Sequence, residues 1–126
     1  MSTEESRTVV LQFVEGALGG HSRDRMDELI APDYVRHMPG GQRVLGLEPI
    51  GQSAAEVGWA AFPDWSYEIE VLLAEGKLVA VRVRAGGTHT RQAERGSWRD
   101  LTPDGTRYST TWTAIYRVRG GKIVEQ

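Results

Sequence analysis

The chain has 126 residues, a formal net charge of −2 and no cysteine. That length suits one domain able to bury about two-thirds of its unfolded surface, and the near-neutral charge leaves no electrostatic footprint for nucleic acid or an anionic membrane. The missing thiols exclude disulfides, cysteine nucleophiles and zinc–cysteine sites, and no apolar run approaches the ~20 residues of a membrane span.

The start, Met1-Ser2-Thr3-Glu4-Glu5-Ser6, is polar and acidic, unlike a signal peptide, so a cytoplasmic protein is expected. Its acids sit where a helix N-terminus favours them. Val9, Val10, Phe13, Val14, Ala17 and Leu18 then recur at three and four residues, which predicts an amphipathic helix ending at Gly19-Gly20. A second short helix is expected over Arg23 to Ile30, with Met26, Leu29 and Ile30 on one face and Pro32 as its stop. After the loop Pro39-Gly40-Gly41, a third is expected from Leu47 to about Ala61, with Pro49 in its first turn and Phe62-Pro63-Asp64 as its exit.

From Trp65 the apolar period changes to two. Ser66 to Leu73 and Leu78 to Arg84 alternate around Glu75-Gly76, a hairpin signal. Ser97 to Leu101 and Arg107 to Val118 suggest a further pair around Pro103-Asp104-Gly105, and Gly120-Gly121 turns into a last strand at Lys122. Helices first and an antiparallel meander afterwards predict an α+β domain, three N-terminal helices packed on one face of a curved antiparallel sheet. No repeat or internal boundary divides it.

Five segments, in this order, carry a family resemblance: Asp33-Tyr34-Val35-Arg36-His37, Gly46-Leu47-Glu48, Ala61-Phe62-Pro63-Asp64-Trp65, Gly87-Thr88-His89-Thr90 and Gly121-Lys122-Ile123-Val124-Glu125. Over nearly the whole chain it resembles the SnoaL-like polyketide cyclases of the NTF2-like superfamily. The resemblance implies a cone-shaped α+β barrel enclosing a ligand cavity, a homodimer formed through the outer sheet face, and chemistry without metal or cofactor. It also implies an aspartate acid/base on the last strand, two positions beyond Gln126. On that expectation the single domain, residues 1–126, is cut short within its last strand, or the base lies elsewhere.

His37 is then the first candidate acid/base, because imidazole as a class titrates near neutrality. Tyr34, three residues before it, would polarise a carbonyl. Asp100 alternates with Trp98 along the strand expected there, so an inward face would make it a substitute carboxylate; an outward face would pair it with Arg99 or Arg107. Trp112, Trp65, Trp98, Phe62 and His89 are the candidate contacts to a flat apolar ligand. His21 reads as a solvated loop residue, and Asp64 as the cap of a turn. Glu68 and Glu70 read as a solvated strand face opposite Ile69 and Val71, and Arg82 with Arg84 as an outer surface suited to dimer packing. His37 and His89 have no paired carboxylate at close sequence spacing, so no metal site is expected, and no phosphate loop is present.

These residues point to a protein binding a small apolar, polycyclic or aromatic molecule. As an enzyme it would be a cofactor-free acid/base catalyst, a cyclase, isomerase or hydrolase. The alternative is a non-catalytic ligand-binding or dimerisation module.

Overall fold

The computed structural model describes residues 2–46, 58–93 and 98–126. Helix α1, Thr3–Leu11, begins where the Ser2 hydroxyl accepts a hydrogen bond from the Glu5 amide at 3.1 Å, filling one of the donors a helix start leaves open. It runs on into a π-helical stretch, Gln12–Leu18. There the carbonyls of Val14 and Ala17 accept amides from five residues ahead, Gly19 at 2.9 Å and Ser22 at 2.8 Å. Helix α2, Arg23–Leu29, is capped by the Ser22 hydroxyl.

Ile30 is already extended and opens strand β1, Ile30–His37. Pro32 therefore lies inside a strand and is not the stop that the sequence suggests. Proline is tolerated there because strand β2, Arg43–Leu45, pairs only with Val35 to His37, so that among the described residues Pro32 has no partner on that edge of β1. The expected third helix falls mostly outside the described residues; its last turn, residues 58–61, is helical.

Strands β3 (Ser66–Glu75), β4 (Leu78–Thr88), β5 (Arg107–Arg119) and β6 (Lys122–Glu125) complete the sheet. Among the described residues it has six strands in the order β2-β1-β6-β5-β4-β3. It is curved and unclosed, and one pair departs from the antiparallel expectation: β1 and β6 run parallel. The β5–β6 link is the two-residue turn foreseen at Gly120-Gly121, both glycines at positive φ.

Two further expectations are corrected. Residues 98–100 form a turn, with no strand there, because β4 continues to Thr88 and pairs with β5 along its whole length, Leu78↔Arg117 to Thr88↔Arg107. β4 is thus the partner of β5 that the sequence expected the Trp98 segment to be. The second concerns β3, where a bulge between Ile69 and Val71 inserts Glu70 as an extra residue. The alternation changes phase there, so Val71 joins the outer face, and Leu72 and Ala74 turn inward.

The core lies between the helices and the inner sheet face. Val10, Val14 and Ala17 pack with Met26 and Leu29 over Val79, Val81, Val83, Tyr116, Val118 and Ile123. Burying an aliphatic side chain of this size contributes about 1.5–3 kcal/mol.

Candidate active site

A cavity of ≈ 510 Å³ opens between the π-helical stretch and the inner sheet face. Phe13 and Leu18 come down from the helix, while strand alternation presents Tyr67 from β3 and Trp112 and Tyr116 from β5. Trp65, at the entry to β3, closes one side. The polar part of the lining is Arg36, His37, Thr110, Thr113 and Gln126. Burial raises the phenol pKa of both Tyr67 and Tyr116, so each stays a neutral hydroxyl. Tyr67 is fixed by accepting a hydrogen bond from Trp59 Nε1 at 3.0 Å.

The parallel β1–β6 pairing sets the chemistry at the rim. It brings the end of β1 beside the end of β6, where the His37 amide donates to the Gln126 carbonyl at 2.7 Å. His37 Nε2 then lies 2.8 Å from Glu125 Oε2, and the other carboxylate oxygen accepts from Arg117 Nε at 2.9 Å. Arg117 first and His37 second hold the Glu125 carboxyl below the usual carboxylate range. An ionised carboxylate only accepts, so Nε2 carries the proton and Nδ1 is left as the basic nitrogen. His37 borders both the inner cavity and a shallower hollow of ≈ 410 Å³ that Ile115, Arg117 and Glu125 share. An imidazole oriented by a carboxylate at the mouth of an aromatic cavity can take up a proton and return it.

The sequence profile of the SnoaL-like domain matches residues 10–126. The chain belongs to the SnoaL-like family. Among solved structures, IdmH from Streptomyces antibioticus, a proposed polyketide cyclase, is 29% identical at a TM-score of 0.77, over 95% of this chain and 87% of that one. AclR from Streptomyces galilaeus, a proposed hydroxylase, is 26% identical at 0.82, over 98% and 73%. A proposed SnoaL-like polyketide cyclase from Jannaschia sp. CCS1 shares the fold at 0.78 and 21% identity, over 98% and 83%. No curated protein matches the chain. Cyclase and hydroxylase on one scaffold mean that this SnoaL-like fold does not choose the reaction; the site must.

In this SnoaL-like domain the expected site residues separate into three groups. His37, Trp65 and Trp112 border the cavity. Tyr34 lies behind the wall, almost wholly buried, and its hydroxyl donates to Oε1 of Gln126. Burial raises its pKa too, so it stays a neutral hydroxyl, bonded to the Gln126 amide that lines the cavity. Phe62, His89 and Trp98 form a second cluster with Tyr108, ring centroids 4.9–5.8 Å apart. That cluster meets the cavity wall through the Phe62–Trp65 contact at 5.0 Å. His89 is 1% exposed, and its Nε2 has no partner among the described residues.

Asp100 stands apart on the exposed turn after Trp98, its side chain 85% accessible and paired with Arg99 at 3.6 Å. It does not line the cavity, and with the strand absent the basis for an inward face is gone.

His21 is corrected outright. Its ring stacks on Trp59 at 4.7 Å, and Nε2 lies 2.7 Å from the Trp65 carbonyl oxygen, so it ties the helix link to a cavity wall. Asp64 lies in the exit turn, but its side chain reaches across to β4: it accepts from the Thr88 amide at 2.7 Å and from the Thr88 hydroxyl at 2.9 Å. Sequence reasoning missed Arg36, Gln126 and Glu125 as site residues. Arg36 had a signal, since it follows Tyr34 by two on one strand and shares its face. Glu125 had none, because its partner His37 is 88 residues away. Among the described residues no three His, Asp or Glu side chains converge as a metal would need, and no helix is long and apolar enough to cross a membrane.

Proposed function

We propose that the protein is a cofactor-independent acid/base enzyme that binds a ring compound in the aromatic cavity, with His37 as its proton-transfer group. The observation that carries this reading is the 2.8 Å contact between His37 Nε2 and Glu125 at the cavity mouth. In the cycle, Nδ1 removes a proton from a carbon acidified by a neighbouring carbonyl, and Glu125 stabilises the imidazolium that forms. The resulting enolate either closes on a second carbonyl, whose alkoxide then takes the proton back from the His37 imidazolium, or is reprotonated at carbon by His37, giving a cyclase or an isomerase. The Gln126 amide, its oxygen held by Tyr34, keeps its N–H donors for a substrate oxygen. Trp65 and Trp112 flank the ring.

The test is turnover of a panel of aromatic polyketides and steroid enones by the wild type, His37→Ala and Glu125→Gln. The reading expects His37→Ala to lose about 100-fold or more in kcat, with Glu125→Gln between it and wild type. Turnover unchanged in His37→Ala contradicts it; ligand binding without turnover in any variant would leave a binding module.

The outer face supports the expected homodimer. Leu73 and Ile115, 67% and 61% exposed, flank Ala80 in one cross-strand row.

A further inference from the structure

Every lining residue of the cavity is apolar, aromatic or uncharged except Arg36 and His37. Three other arginines of the sheet are paired: Arg82 and Arg84 with Glu70, and Arg117 with Glu125. The Arg36 guanidinium has no hydrogen bond or ion pair among the described residues. Among the described residues no carboxylate side chain lines this cavity to balance it; Glu125 faces the outer hollow and is occupied by His37 and Arg117. The cavity tyrosines stay neutral and supply no counter-anion. A partly buried cation between aromatic walls, with its planar fork of donors unused, is half of an ion pair.

We infer that the ligand carries an ionised acid group, a carboxylate or equally acidic enol on a flat ring system, and that Arg36 anchors it by a forked pair of hydrogen bonds. This rests on the reading of the cavity as the ligand site. Arg36 lies one residue before His37 and two after Tyr34, so the anchored group would sit at the β1 side of the cavity, with the ring running across Trp65 and Trp112. A ligand held at its acidic end presents a fixed carbon to the rim, so Arg36 selects substrates by charge as well as by shape.

Calorimetric binding of naphthoate and of its uncharged isostere naphthamide tests this. Wild type should bind naphthoate about 10-fold or more tighter than naphthamide, the scale of one charge-assisted interaction, and added salt should weaken naphthoate alone. Arg36→Gln should abolish the preference, weakening naphthoate far more than naphthamide. Arg36→Lys should retain part of it, since the charge survives and the fork does not. Trp112→Ala should weaken both ligands. Equal affinities in wild type, or a preference that survives Arg36→Gln, would overturn the anchor and leave the cavity reading standing. Failure of wild type to bind either compound would overturn both.

Discussion

At the scale of single residues, the site depends on one carboxylate shared between two bases. Glu125 is half-exposed, so solvent screens its pairs with Arg117 and His37, yet both hold its pKa down. A carboxyl whose folded pKa is depressed adds stability above the unfolded value of about 4.3 and loses it as pH falls through the folded value. Urea unfolding should therefore place Glu125→Gln below wild type at neutral pH, and the gap should close in acid. A gap that persists or widens in acid would mean that the pair does not hold the carboxylate ionised. Met26, fully buried under the helices, carries packing alone; Met26→Ala should cost about 2–5 kcal/mol in the same measurement.

At the scale of elements, close backbone approaches fix where the cavity walls stand. A Cβ on Gly87 would lie 2.9 Å from Asp64 Oδ1 and 3.1 Å from Trp65 Cα, so the glycine lets β4 lie against the exit turn that aims Trp65. Gly87→Ala should lower the melting temperature and change the environment of Trp65. An unshifted melting curve and unaltered tryptophan emission would contradict that placement. The elements also show how far sequence alone reaches. The amphipathic first helix, the β3–β4 hairpin and the Gly120-Gly121 turn are local, and their periods and turn residues declare them. Three features did not declare themselves. The β3 bulge changes the phase of a strand without any Gly or Pro to mark it. The Trp98 segment alternates like a strand, but β5 pairs with β4 in its place. The parallel β1–β6 pairing joins residues about ninety apart, and with it come the His37–Glu125 contact and the Tyr34–Gln126 bond. Aromatic walls and His37 could be read from the sequence; Glu125 and Gln126, which complete the polar rim, could not.

At the scale of the molecule, the sheet separates two surfaces with different work. The inner face makes core and cavity, and the outer face carries the apolar row of Leu73 and Ile115 beside the Glu70–Arg82–Arg84 cluster. Light scattering should find a dimer that Leu73→Lys combined with Ile115→Lys converts to a monomer; a wild-type monomer would contradict the assignment of that face. The central claim is that the inner cavity is where a ring ligand binds. Tryptophan fluorescence titrated with an aromatic polyketide, in wild type and Trp112→Phe, tests it most directly. Saturable quenching that loses a clear share of its amplitude in Trp112→Phe, at similar affinity, is the predicted result. Quenching undiminished by that change would place the ligand elsewhere.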